Sequence, residues 1–157
     1  TRRGINKWMR LKLGYDSPLP VAGERLICLK NDYHNFPVTL INGAMCRTLG
    51  EPGVTETDGT DCLDIDWDGY PLLSPPYYDY HFRAHHEENP HIIPYEKRME
   101  LAEFDYAYAI TTHKSQGSEF DYVILADDAM QAQNEMFRRR WLYTAVTRAK
   151  NKLLWVY

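Results

Sequence analysis

The chain has few of the features that mark secreted or membrane proteins. Its 157 residues include three cysteines, Cys28, Cys46 and Cys62, an odd number without C-x-x-C or His–Cys metal spacing, which argues against a disulfide framework and a zinc site. No stretch approaches the roughly 20 apolar residues that cross a bilayer. The start, Thr1 to Gly4, has no signal-peptide core, and the missing initiating Met is typical of a fragment. A reducing, intracellular setting is expected.

The composition is that of a folded domain with segregated charge. Apolar residues make up 44% of the chain and aromatic residues 13%, enough for one core, with or without a small insertion. The net charge is -4, yet residues 1–12 and 138–152 carry only basic charges and residues 51–70 only acidic ones. Such segregation fits a face for a polyanion, although charge runs also occur on ordinary solvated faces.

Apolar spacing predicts several elements in the first two thirds of the chain. Residues 5–13 have the spacing of an amphipathic helix, with Ile5, Trp8, Met9 and Leu13 as its buried stripe. Residues 25–29 read as a strand, residues 38–41 resume apolar character, and Asn42-Gly43 reads as a turn between them and a further apolar run at 44–49. The turn-rich stretch from Glu51 to Pro94 predicts a small β module or a mobile insertion.

After Met99 the pattern becomes α/β. Buried strands are predicted at 106–112, 122–125 and 153–157, and a helix at 130–150. Strands that alternate with a long helix predict a parallel sheet. The apolar side of the helix is formed by Met136, Phe137, Trp141, Ala145 and Val146.

Two polar clusters follow predicted elements. Residues 110–121 (Ile-Thr-Thr-His-Lys-Ser-Gln-Gly-Ser-Glu-Phe-Asp) lie where a strand ends, the usual place for a ligand in an open α/β sheet. Hydroxyls, a lysine and a glycine there suit phosphates, and a solvated turn with ordinary caps is the alternative. Arg148, near the end of the predicted helix, either complements the helix dipole or directs its guanidinium to a phosphate.

Together the clusters resemble a known family. Residues 113–120 are similar to motif V, and residues 143–150 to motif VI, of superfamily 1 DNA helicases of the RecD and Dda-like branch, in their C-terminal, UvrD-like helicase domain. Residues 23–31 resemble the strand that opens the SH3-like insertion of that family, and residues 41–43 its next turn. The resemblance covers residues 1–49 and 94–157 and does not extend to residues 50–93.

The resemblance implies an α/β fold, a RecA-like parallel sheet of the P-loop NTPase type with an inserted small β, SH3-like module. Residues 1–22 would start RecA-like domain 2A, residues 23–98 would form the inserted 2B module with an irregular loop at 50–93, and residues 99–157 would complete domain 2A. It also implies a motor of two RecA-like domains that closes on ATP and moves along single-stranded DNA. The N-terminal RecA-like domain would be a partner in the same protein.

The resemblance also assigns roles to residues. Arg148 is similar to the arginine finger that reaches the γ-phosphate, and Gly117 and Glu119 to motif V groups near the nucleotide. The stretch Thr112, His113, Lys114 and Ser115 would lie toward the DNA backbone. Phosphate contacts of this kind give salt-sensitive binding without sequence preference. Base stacking could come from an aromatic residue, with the candidates Trp67, Tyr77, Tyr78 and Tyr80.

The chain lacks the other half of an ATPase. No GxxxxGK[ST] phosphate loop is present, so ATP and Mg²⁺ would be bound mainly by the missing N-terminal domain, and the chain alone should not hydrolyse ATP. Asp127-Asp128 follows an apolar run but directly succeeds motif V, which argues against a Walker B role. His81, His85, His86 and His91 read as a histidine-rich loop, so no metal site is predicted.

The function predicted is the C-terminal motor segment of an ATP-dependent DNA helicase or translocase, of 5′ to 3′ polarity. The alternative is a non-catalytic RecA-like and SH3-like module that binds DNA or protein in DNA repair or recombination. A nuclease would need acids clustered on a strand scaffold, which residues 51–70 do not offer. The expected setting is the cytoplasm of a bacterial or phage-infected cell, at the nucleoid, with a replication or repair protein as a further partner.

Overall fold

A computed structural model describes residues 1–36, 39–54, 61–73, 75–127 and 135–156. The chain divides into two units, Thr1–Ala109 and Ile110–Tyr157. In chain order the elements are α1 Arg2–Lys12, β1 Arg25–Cys28, β2 Met45–Thr48, β3 Gly53–Val54, β4 Asp61–Cys62, β5 Ile65–Trp67, β6 Tyr70–Leu72, β7 Tyr77–Tyr78, α2 Tyr80–Arg83, α3 Tyr95–Met99, β8 Ala102–Tyr106, β9 Phe120–Ala126, α4 Glu135–Val146 and β10 Ala149–Val156.

The first unit is built on a six-stranded sheet in the order β6-β5-β2-β1-β8-β7. All its pairs are antiparallel except β7 with β8. The predicted Asn42-Gly43 turn is present, since Ala44 N donates to Ile41 O at 2.9 Å and Gly43 has φ +94°, a left-handed conformation that favours glycine. The turn leads into β2, but β2 pairs with β1, and Leu40 before the turn makes an isolated bridge with Asp32. The described part of 51–94 contains the short strands β3 to β7, of which β5, β6 and β7 belong to this sheet. The core includes Leu26, Leu40, Leu63, Ile65, Phe82, Phe104 and Tyr106.

Helix α1 confirms the predicted helix but buries a different side from the one expected. Ile5 and Trp8 are 41% and 55% exposed, whereas Asn6 and Arg10, four residues apart and hence on one face, are buried. Arg10 Nε donates to Glu24 Oε1 at 2.8 Å and its Nη2 donates to Glu24 Oε2 at 3.0 Å. The predicted buried stripe is therefore wrong, because the helix buries the polar side chains that find partners inside the unit.

The strand predicted at 106–112 is also wrong in its bounds, since β8 ends at Tyr106. The Asn6 side chain forms hydrogen bonds with the backbone at the end of β8 and just beyond it. Its Nδ2 donates to the carbonyls of Tyr106 at 3.0 Å and Ala109 at 3.2 Å, and its Oδ1 accepts from Ala109 N at 2.6 Å. Ala107 N still donates to Arg25 O of β1 at 2.9 Å. Beyond it the Asn6 side chain, and not a strand, pairs the backbone of Ala109, and the chain leaves the sheet.

The second unit contains a β-α-β arrangement. Strands β9 and β10 pair in parallel and α4 lies between them in sequence, which confirms the parallel connection predicted for the last two strands and leaves the molecule mixed α/β. Residues 130–134 of the predicted helix, and Tyr157 of the predicted strand, lie outside the described residues. Helix α4 ends at Val146, so Arg148 is in the turn before β10.

The predicted apolar side of α4 is mostly not a core. Ala145 is buried, but Met136 is 61% and Phe137 is 43% exposed. The prediction fails here because a two-stranded sheet offers too little surface to cover a helix of this length. Among the described residues, none of the helices is long and apolar enough to cross a membrane.

Candidate functional site

The predicted motif V residues form a compact turn in the second unit. Ser115 is its centre: its N–H donates to the carbonyls of Thr111 at 3.1 Å and Thr112 at 3.2 Å, and its Oγ donates to Thr112 O at 2.7 Å. Ser118 N donates back to Ser115 O at 3.1 Å. Gly117 has φ +84°, which reverses the chain at no steric cost. These bonds fix the backbone before any ligand binds.

The turn brings the four residues predicted to face DNA together, with different exposure. His113 is exposed, and Thr112 and Lys114 are half-buried. Ser115 is only 6% exposed and its hydroxyl is already bonded within the turn. The geometry therefore presents Thr112, His113 and Lys114 at the surface, while Ser115 holds the turn in shape.

Arg148 joins this turn to the end of α4. Its Nε donates to Thr144 O, its Nη1 to Ser118 O and its Nη2 to Thr147 Oγ1, each at 3.0 Å. Its own carbonyl accepts from Phe120 N at 2.8 Å, at the start of β9. The two predicted motifs thus meet at one half-buried arginine. None of the three acceptors is a carboxylate, so these bonds orient the guanidinium without neutralising its charge.

Glu119 and Gly117, the residues predicted to lie near the nucleotide, flank the same turn. Glu119 Oε2 lies 3.3 Å from Lys150 Nζ, with both side chains more than half exposed. A surface pair of this kind contributes little stability and exchanges partners easily. A Cβ added at Gly117 would meet no atom within 4 Å, so the backbone there is open to a close approach.

The acids after β9 have a structural partner. The Asp127 side chain is 6% exposed and its Oδ2 accepts from Arg138 Nη2 at 3.1 Å. Asp128 lies outside the described residues. This ion pair anchors the beginning of α4 to the end of β9.

The charge of the second unit differs from that of the first. Residues 110–157 carry seven Lys and Arg against five Asp and Glu, whereas residues 1–109 carry eleven against seventeen. The second unit is therefore positive in an acidic chain, which suits contact with a polyanion.

The histidine cluster belongs to the first unit and its members bind separate groups. His81 Nε2 lies 2.9 Å from Glu103 Oε2, and His85 Nε2 lies 2.7 Å from Asp105 Oδ1. Burial raises the pKa of Glu103, but hydrogen bonds from His81 and Arg98 outweigh it and lower this pKa to about 2. Among the described residues, no group of three His, Cys, Asp or Glu is arranged to hold a metal ion.

Four aromatic residues predicted as stacking candidates also lie in the first unit. Tyr77 and Tyr78 are buried, and Trp67 and Tyr80 are half-buried. Tyr78 and Tyr80 stack on each other with ring centroids 5.5 Å apart. Their faces are thus partly occupied within the unit.

Sequence reasoning missed one aromatic contact beside the motif V turn. The rings of His113 and Phe137 lie 6.4 Å apart between centroids, with 31° between their planes. Its spacing alone predicts that Phe137 lies on the apolar side of α4. Helical spacing does not reveal exposure. The one sequence signal for an exposed Phe137 is the run of three arginines, Arg138 to Arg140, that follows it.

Comparisons with known proteins concern mainly the second unit. Residues 106–156 match the family model of the UvrD-like helicase C-terminal domain. The C-terminal third of the chain is thus similar to the C-terminal domain of UvrD-like helicases. The predicted resemblance is confirmed for this segment, which holds the motif V turn, α4 and Arg148.

Two matched proteins show how much of the chain is similar to known proteins. An uncharacterized protein of Methanocaldococcus jannaschii is 51% identical over 51 residues, which are 32% of this chain and 4% of that protein. The crystal structure of Pif1 helicase from Candida albicans has a TM-score of 0.48 and 15% identity over 94% of this chain and 35% of its own. The chain thus spans about a third or less of these proteins.

Proposed function

We propose that this chain is the second motor segment of an ATP-dependent, 5′ to 3′ DNA helicase or translocase, and that Arg148 is its arginine finger. The placement of Arg148 carries the proposal. Its guanidinium is oriented by three neutral acceptors, between the motif V turn and the end of α4. A fixed fork with uncompensated charge suits the charge that develops on a transferring phosphoryl group.

The remaining roles follow from the same turn. Gly117 and Glu119 would lie next to the nucleotide, and Thr112, His113 and Lys114 would contact the backbone of single-stranded DNA, with Ser115 fixing the turn. ATP and Mg²⁺ would be held mainly by an N-terminal RecA-like domain of the same protein. In this proposal residues 1–22 and 99–157 form the RecA-like domain 2A, and residues 23–98 form the SH3-like 2B module.

The test is the DNA-stimulated ATPase activity of the full-length parent protein and its Arg148→Ala variant. We expect turnover to fall on the order of a thousandfold, with single-stranded DNA affinity largely kept, because the finger stabilises the transition state. Arg148→Lys should restore little activity, since an ammonium lacks the guanidinium fork.

Arg139→Ala is the matched control. Arg139 is an arginine of α4 whose ion pair among the described residues is with Glu135, and both side chains are more than 70% exposed. Its loss should leave turnover within about twofold. Full ATPase activity in the Arg148→Ala variant would contradict the arginine-finger role. A wild-type protein without ATPase activity would favour the non-catalytic binding module.

A further inference from the structure

Phe137 has an exposure that no role given above explains. It lies in the first turn of α4 with 43% of its surface exposed, beside the exposed ring of His113. Residues 135–140 are all exposed, so the first half of α4 is not part of a core formed by the described residues. Two neighbouring rings at the surface form an aromatic patch next to the turn proposed to meet DNA.

The charges around the patch are basic. Arg140 follows Phe137 by three residues, which places both on the same side of the helix. Arg138 pairs with Asp127 and Arg139 with Glu135, whereas Arg140 has no carboxylate partner among the described residues. An exposed arginine on the same side of a helix as an exposed ring is a combination that suits single-stranded nucleic acid, in which a base stacks and the adjoining phosphate is neutralised.

We propose that Phe137 and His113 form a stacking platform for one nucleobase of single-stranded DNA, with Arg140 beside the sugar–phosphate backbone. The inference rests on the proposed function and adds a base contact to the backbone contacts of motif V. Stacking accepts any base because every base has a π-face, so the platform gives affinity without sequence preference. It would hold a base in place next to the turn that Arg148 links to the end of α4.

The experiment separates base from backbone binding. Fluorescence anisotropy gives the Kd of the full-length protein for a labelled oligo-dT and for an abasic oligomer of the same length and charge, at one fixed salt concentration. Wild type should bind oligo-dT roughly tenfold more tightly than the abasic oligomer. Phe137→Leu should weaken oligo-dT binding roughly tenfold and leave the abasic Kd unchanged, because leucine is apolar but has no π-face.

Two further variants serve as controls. Phe137→Trp keeps a π-face and should retain the preference for bases. Tyr122→Leu removes another exposed ring of the same unit, 70% exposed on β9, and should change neither Kd. Thermal unfolding of each variant shows whether it is folded.

The outcomes are distinct. An equal loss for both oligomers in Phe137→Leu, or no loss for either, would overturn the platform while leaving DNA binding intact. A loss of base preference in Phe137→Trp would also overturn it. A wild-type protein that binds neither oligomer would remove the proposed function together with this inference.

Discussion

At the scale of single residues, buried charge decides how the first unit is organised. Strand β8 is buried along its whole length although it carries Glu103 and Asp105. These carboxylates alternate with Phe104 and Tyr106, which face the apolar core, as the two-residue period of a strand requires. Each acid is stabilised by a histidine and an arginine, because an unpaired charge would not be tolerated there.

Glu103 should make the first unit sensitive to acid. Its pKa is lowered in the folded state to about 2 from 4.5, so its contribution to stability is complete above about pH 4.5 and is lost as the pH falls toward 2. The contribution is at most on the order of 3 kcal/mol. We expect Glu103→Gln to be less stable than wild type at pH 7, with a difference that shrinks between pH 4.5 and 2.

Urea unfolding at several pH values measures this difference. Glu96→Gln, which changes an exposed carboxylate on α3, is the control and should follow the wild-type curve. A constant difference between Glu103→Gln and wild type down to pH 2 would contradict the prediction.

At the scale of elements, the motif V turn is held in one conformation by its own hydrogen bonds. Its hydrogen bonds close on Ser115, and Gly117 supplies the left-handed residue that returns the chain to β9. The turn can therefore present Thr112, His113 and Lys114 in one arrangement without a strand to support them, which lowers the cost of ordering them on binding.

Gly117→Ala should loosen this turn. An alanine at φ +84° is strained by about 1–2 kcal/mol although its Cβ has room. We expect the amides of Ser115 and Ser118 to exchange hydrogen roughly 5- to 30-fold faster. Gly117→Asn should have a smaller effect, since asparagine tolerates this conformation better.

Gly50→Ala is the comparison, because Gly50 has neither a positive φ nor an atom within 4 Å of the added Cβ. It should leave amide exchange in the turn unchanged. Unaltered exchange in Gly117→Ala would show that the turn does not depend on the glycine.

At the scale of the whole molecule, the chain holds one half of the proposed ATP site. It carries Arg148 but no phosphate loop. An arginine finger stabilises charge on a phosphoryl group that other residues and Mg²⁺ must bind and align.

The 157-residue chain by itself should therefore show no ATPase activity above background, with or without oligo-dT. Phosphate release measures this directly, and the full-length protein under the same conditions shows that the assay works. Turnover by the chain that disappears in Arg148→Ala would mean that it contains a complete site.

The sequence by itself determined the elements whose signal is local. The period of residues 5–13 predicted α1, the Asn42-Gly43 signal predicted the turn before β2, and the apolar runs on either side of α4 predicted β9 and β10. Motif resemblance identified the helicase segment, because its functional groups lie close together in sequence.

Tertiary structure alone decided which surfaces are buried. The face of α1 that packs is polar because Glu24 and the backbone beyond Tyr106 supply partners to Arg10 and Asn6, groups distant in sequence. For the same reason the Asn6 side chain pairs the backbone of Ala109 just beyond β8, and Phe137 is exposed although its spacing predicted burial. Periodicity reports which residues share a face, whereas burial depends on what the rest of the chain places against that face.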